Sequence, residues 1–288
     1  CISSAASDVY KRQACFLFTS SCSDFLDEEH KTKYSSEYVF GTPEGLKLAV
    51  NALYALQRYY ANDTENATIF ALERGTDLAV TNGGTGNFYG IYDPNYLKPS
   101  ASQVGFMWRT MYQIIGKANE IIAAAEDLED TPSLRATVSE AKCFRAQSYF
   151  LLYRTFDRIW LNMLPTTAEN VNDPRDFHAA SEKEVFELIY EDLEYAITNL
   201  DWVSDEAGRF TQAAARHMKA KAALWLKDWD TTLEQVEEIE KSGHFDLIAL
   251  NEVFNAGDLN HKEALMVQQW SKNPGGNLSL SLIHISEP

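Results

Sequence analysis

The sequence predicts an all-α protein: degenerate tetratricopeptide-like helical hairpins interrupted by long inserted loops. Three observations predict it. Apolar residues recur at i, i+3, i+4 and i+7 through most of the chain. Capping residues stand where several of those stripes begin. Strand-type alternation is scarce.

Taken in order, "TPEGLKLAVNALYALQRYY" (42–60) opens with Thr42 at the N-cap and Pro43 at the first helical position. Its stripe is Leu46, Val50, Leu53, Tyr54 and Gln57. A shorter helix is predicted over "TIFALERGTDLAV" (68–80). A long one follows over 105–128, with Trp108, Met111, Tyr112, Ile115, Ala118 and Ile122 on one face. "LRATVSEAKCFRAQSYFLLYRTF" (134–156) is next. The helix over 181–200 starts with a capping box, Ser181 and Glu184, and buries Val185, Leu188, Ile189, Leu193, Ala196, Ile197 and Leu200. The segment 210–228 is rich in alanine, which lets a neighbouring helix approach closely. A helix over 231–243 carries a second capping box, Thr231 and Glu234, and stops at Gly243.

"ALWLKDWDTTLEQVEEIEKSG" has the shape of one tetratricopeptide-like unit, although no strict 34-residue period exists. Two long interruptions, 81–104 and 157–180, are the places where a loop of such length suggests function or disorder.

The 288 residues suffice for one large or two ordinary domains, and no domain-splitting linker is visible. Net charge is −17, with a pI near 4.7, which disfavours a nucleic-acid groove. No apolar run approaches the ~18 residues of a membrane span. Cys1, Cys15, Cys22 and Cys143 fit neither a zinc motif nor a redox pair. Cys143 is expected to be a small buried hydrophobe. His30, His178, His217, His244 and His261 are scattered, with no HExxH, so no metal or other cofactor is expected. No Ser/His/Asp order suggests a triad. "GTGNFYG" lacks the glycine order, lysine and preceding strand of a phosphate loop.

Near the start, "FLFTSSC" reads as the end of a lipoprotein export signal: an apolar scrap, small residues at 19–21, then Cys22 as the lipid acceptor. Thr19 stands where leucine is commoner. The plain alternative is a tail with a free cysteine.

The two ends share an unusual relation. "DVYKRQ" (8–13) and "LSLIHI" (280–285) can be read from opposite strands of one short DNA. Residues 1–13 and 280–288 are therefore expected to be translated library adapter, with ordinary tails as the alternative. The native genomic locus would decide. The resulting division is 1–13 adapter, 14–21 signal remnant, 22–41 acidic tether, 42–279 helical domain and 280–288 adapter.

Several segments together resemble the SusD/RagB family of outer-membrane nutrient-binding lipoproteins. "CSDFLDEE" resembles the family's mature start, and "ERGTDLAV" its short helix around Thr-Asp. Trp108, Tyr112, Ile115 and Asn119 match W-x3-Y-x2-I-x3-N. Glu140, Ala141, Arg145, Ala146, Tyr149, Phe150 and Leu152 match E-A-x3-R-A-x2-Y-F-x-L. The segments from Ser181 and from Gly208 follow in family order, so the resemblance spans roughly 22–270. Asp157 and Trp160 depart from the family's Gly and Pro, which leaves that turn open. Chains of the family run much longer, so a large C-terminal portion is expected to be missing.

The resemblance implies a surface lipoprotein of a Gram-negative outer membrane, held by its lipid anchor. It would bind an oligosaccharide and pass it to a SusC-like TonB-dependent transporter, without catalysis. Loop 81–104 is the best ligand candidate. Phe88, Tyr89, Tyr92 and Tyr96 could stack on sugar rings, while Asn87 and Asn95 supply hydrogen bonds. Asp77 could face that loop or cap the turn after its helix. The plain alternative is that these aromatics pin the loop to the body. Arg145 and Glu140 are expected to pair structurally between helices. Two other readings compete: a tetratricopeptide-like scaffold binding only protein, and a helical glycoside hydrolase. The hydrolase needs two carboxylates at a defined separation, which no segment suggests.

Overall fold

The computed structural model describes residues 35–62, 102–167, 170–174, 177–253 and 260–269. Among them the regular elements are all helical: α1 Ser36–Gly41, α2 Pro43–Asn62, α3 Ser102–Ala125, α4 Pro132–Thr155, α5 Glu182–Asn199, α6 Gln212–Leu226, α7 Trp229–Lys241 and α8 Leu250–Val253. The helix expected over 68–80 lies outside the described residues. So do the export-signal remnant and both expected adapter ends. Cys1–Ser36 form one unit and the rest of the chain, from Glu37, another.

Five of the long helices, α2 and α4 to α7, begin where a side chain satisfies a backbone N–H that the helix cannot. Thr42 Oγ1 accepts from Gly45 N at 3.1 Å, with Pro43 opening α2. Thr131 Oγ1 accepts from Leu134 N at 3.1 Å, with Pro132 opening α4. Ser181 and Glu184 close the expected capping box of α5. Thr211 caps α6 through Ala214 N.

The start of α7 differs from expectation. Its cap is Asp228, whose carboxylate accepts from Thr231 N at 3.1 Å, so Thr231 lies inside the helix. Asp is at least as good a cap as Thr. Lys227, at φ 61°, ends α6 so abruptly that no longer turn is needed. At the other end Gly243, at φ 69°, stops α7 as expected.

The helices pack in chain order: α2 on α3, α3 on α4, α4 on α5, α5 on α6 and α6 on α7, with α2 also reaching α4. The amphipathic stripes face inward. Leu46, Val50 and Leu53 of α2 are fully buried, as are Val185, Ile189 and Leu193 of α5, within about 1% of zero exposure. α4 sits between two neighbours and buries residues on nearly every face, including Phe144, Tyr149 and Leu152. The buried alanines of α6, among them Ala213, Ala215, Ala222 and Ala223, give the close approach that composition suggested. Cys143 is buried and unpaired, and burial pushes its thiol well above the ordinary range.

α1 turns back onto α2 at Gly45. A Cβ there would lie 2.6 Å from Val39 O and 2.7 Å from Val39 Cα, both backbone atoms that cannot rotate away. Gly45→Ala gains about 1 kcal/mol of helix propensity but loses about 1–3 kcal/mol to the overlap. The melting temperature should therefore fall. A melting temperature equal to or above wild type would mean that α1 swings clear at no cost.

Candidate functional site

The ligand residues expected from sequence, Asp77, Asn87, Phe88, Tyr89, Tyr92, Asn95 and Tyr96, lie outside the described residues, as does Cys22. What the structure does place is the second long interruption, 157–180, and the helices that hold it.

Two tyrosines grip the first part of that segment. Tyr112 Oη of α3 donates to Trp160 O at 2.8 Å and accepts from Trp160 N at 2.9 Å. Tyr149 Oη of α4 does the same two residues on, donating to Asn162 O at 2.9 Å and accepting from Asn162 N at 2.7 Å. A hydroxyl both donates and accepts, so one side chain satisfies a whole peptide pair as a neighbouring strand would. Asn119 Nδ2 adds a second donor to Asn162 O at 2.7 Å. Ala180 N donates to Ile159 O at 2.9 Å and closes the base of the loop. Farther out, Asn170 staples its own turn through Thr167 N at 2.9 Å and Pro165 O at 2.9 Å.

The clamp carries an aromatic series. Trp108 meets Phe156 edge-on, Tyr112 stacks on Trp160, and Trp160 lies 4.8 Å from Phe177. Phe177 is 70% exposed, and Met163, Leu164 and Val171 of the same segment are also exposed.

Behind the clamp lies a buried charge cluster. Asp192 of α5 is wholly buried. Arg145 grips it with two bonds of 2.7 Å, and Lys142 adds a third at 2.8 Å. Arg145 Nη1 also donates to Asn119 Oδ1 at 2.8 Å. The chain Asp192–Arg145–Asn119–Asn162 thus links α5, α4 and α3 to the loop. Arg145 pairs between helices as expected, with Asp192 of α5, while Glu140 pairs with Arg209 of the 200–211 linker and accepts from Tyr54 of α2. Asp192 was missed by sequence reasoning, yet a signal existed: it follows Leu188 and Ile189 by four and three residues. That spacing sets a carboxylate on the buried stripe, where it must find a cation.

A cleft of about 620 Å³ opens at the other end of α2 and α4, lined by Lys47, Glu140, Trp202, Asp205, Glu206 and Arg209, among others. Four of its charged side chains, Lys47, Glu140, Glu206 and Arg209, are engaged with one another. Glu206 bonds Lys47 and Arg209, each at 2.9 Å, and Arg209 reaches Glu140 at 3.2 Å. Tyr54 Oη donates to Glu140 and accepts from Phe210 N. The indole of Trp202 already contacts His244 and the Arg216 guanidinium. Lys47, followed by Arg209, holds Glu206 below the ordinary carboxylate range. These engaged groups make the cleft a structural joint between α2, α4 and the 200–211 linker.

Burial holds the Glu140 carboxyl above the ordinary range, against the pull of Tyr54 and Arg209. A folded pKa above the unfolded one means that the native state binds more protons in that interval. The stability Glu140 contributes is thus full below the ordinary carboxylate value and lost as pH rises through the folded value. Glu140→Gln removes this component. The difference in melting temperature, variant minus wild type, should rise as pH is raised above the ordinary carboxylate value. A difference that is flat with pH would show that the carboxyl is not shifted.

Among the described residues no group of His, Cys, Asp and Glu could hold a metal ion, and no helix is long and apolar enough to cross a membrane.

Helical hairpins stacked in chain order, with the start of the second long interruption clamped to them, define a tetratricopeptide-like helical protein. Comparison with known proteins narrows this. The family model SusD-like_3, described as "Starch-binding associating with outer membrane", matches residues 24–224, and the chain belongs to this SusD-like family. A SusD-like protein of Bacteroides ovatus is 25% identical over 281 residues, covering 88% of this chain and 48% of that protein. A SusD-like carbohydrate-binding protein of Bacteroides fragilis superposes with a TM-score of 0.63 at 20% identity, over 73% of this chain and 42% of its own. A laminarin-binding SusD-like protein superposes with a TM-score of 0.63 at 24% identity, over 71% and 46%. The chain thus spans about half the length of the curated relatives it matches.

Proposed function

We propose that this protein captures an oligosaccharide at the surface of a Gram-negative outer membrane and hands it to a SusC-like TonB-dependent transporter, without catalysis. The family match over 24–224 is the observation that carries the reading. Cys22 serves as the lipid attachment point. One acyl chain alone binds a membrane only marginally, so a multiply acylated cysteine is the fitting anchor. Loop 81–104 supplies the ligand contacts: Phe88, Tyr89, Tyr92 and Tyr96 stack on the C–H faces of sugar rings, and Asn87, Asn95 and Asp77 meet hydroxyls. The exposed Phe177, backed by Trp160 on a clamped loop, is a further aromatic surface of the same chemistry.

The test is native gel electrophoresis of the product of the native reading frame through starch, laminarin and a panel of other neutral and acidic polysaccharides. Retardation by at least one is expected. Unretarded migration through the whole panel would overturn glycan capture.

A second reading, a scaffold that binds only protein, is favoured by one feature. Leu224 and Trp225 of α6 and Trp229, Leu233 and Val236 of α7 are exposed on adjoining helices. It gains support if the glycan panel is negative.

A further inference from the structure

A second cavity, of about 170 Å³, lies over α4 between the α2–α3 and α5–α6 pairs. Its floor is apolar, with Met111, Ile114, Leu193 and Met218 among its walls. Two lining side chains are cationic, Arg154 and Lys221, and none is acidic. That is unexpected in a chain with 42 Asp and Glu against 25 Lys and Arg. Among the described residues neither cation forms an ion pair. The Arg154 guanidinium carbon lies over the Phe150 ring, 4.4 Å from its centroid. A guanidinium has five N–H donors, so a cation–π contact leaves donors for an acceptor.

Tyr60 completes the constellation. The residue is 8% exposed and lines the cavity, and its buried Oη has no hydrogen-bond partner among the described residues. An unpaired buried hydroxyl is costly, so it calls for an acceptor in the cavity. Arg154 is close enough for its charge to act on that hydroxyl. Burial pushes the hydroxyl above its ordinary value, so it stays a neutral donor at neutral pH. Gln57 donates to Gln147 at 2.8 Å at the rim, which leaves the Gln147 amide N–H groups as further donors.

We propose that this cavity is a binding site for a small aromatic carboxylate, in addition to the glycan contacts proposed for loop 81–104. The carboxylate would sit between the Tyr60 hydroxyl and the Arg154 guanidinium, with Lys221 adding long-range attraction. The ring would lie on the apolar floor, where the thioethers of Met111 and Met218 suit an aromatic edge. A polyhydroxylated neutral sugar fits worse, because the floor offers its hydroxyls few partners.

The experiment is fluorine NMR titration of 4-fluorobenzoate, and of its neutral isostere 4-fluorobenzamide, into the protein from the native reading frame. Saturable binding of the carboxylate, tighter than the amide by roughly tenfold or more, is expected. Tyr60→Phe and Arg154→Gln, each checked for wild-type thermal unfolding, should each weaken it by roughly tenfold. Polysaccharide retardation should stay as in wild type, so failure of this site and failure of glycan capture remain distinguishable. Absence of saturable binding would show that the cavity holds water alone. Equal affinity for the amide, or undiminished binding in both variants, would equally overturn the proposal.

Discussion

Asp192→Ala is expected to lower the unfolding free energy by about 3–5 kcal/mol, the largest loss of any single substitution considered. The reason is asymmetry. Arg145 is 4% exposed and is held by Asp192 through two bonds, while Lys142 leans on the same carboxylate. Removing the anion leaves two cations buried without a counter-charge, and their desolvation is no longer offset. Asp192→Asn keeps the shape but not the charge and should behave nearly as badly. Chemical denaturation measures the change directly. A loss below about 1 kcal/mol would mean that Arg145 and Lys142 reach solvent or another carboxylate. The converse variant, with all three residues replaced by apolar ones of similar volume, should recover much of the loss, because a buried ion pair adds little net stability.

Tyr149→Phe is the second. It removes one oxygen, but that oxygen serves both Asn162 N and Asn162 O. Asn162 O keeps the bond from Asn119, so the N–H is the group left unsatisfied. An orphaned buried donor costs about 1–3 kcal/mol. The loss should be concentrated in the 157–180 segment, since the Phe ring still fills the core. Hydrogen exchange at the Asn162 amide should accelerate strongly while amides in the middle of α4 keep their protection. Uniform acceleration across α4 and α5 would place Tyr149 in the global core instead. Adding Tyr112→Phe should release Trp160 as well, and the two effects should couple because both hydroxyls hold one short strand-like stretch.

The stripes of α2, α3 and α5 were legible because burying one face of a helix imposes its own period on the sequence. Caps were legible where one residue type had no competitor, as at Thr42 and Ser181. At α7 the sequence predicts Thr231 as the cap, but the structure uses Asp228, three residues earlier. The choice fell to Asp228 because Lys227 takes a left-handed backbone conformation that no pattern announces. The clamp was only half legible. Tyr112, Asn119, Arg145 and Tyr149 carry the family resemblance and were singled out for it, yet their partners are 13 to 48 residues away: Trp160 and Asn162 in an irregular segment for three of them, and Asp192 of α5 for Arg145. Nothing local records a pairing of that range. Those residues hold a loop and a buried charge in place. The aromatic and amide residues of loop 81–104 depend on no period at all, so sequence shows their chemistry and not their arrangement.

Glycan capture by loop 81–104 is the central claim, and one titration tests it most directly. The polysaccharide that most retards the wild-type protein is degraded to oligosaccharides, and its binding to wild type and to Tyr89→Ala/Tyr92→Ala is compared by calorimetry. Losing two stacking rings should weaken binding by at least about tenfold while thermal unfolding stays unchanged. Unchanged affinity in the double variant would contradict the claim and place the glycan elsewhere on the protein.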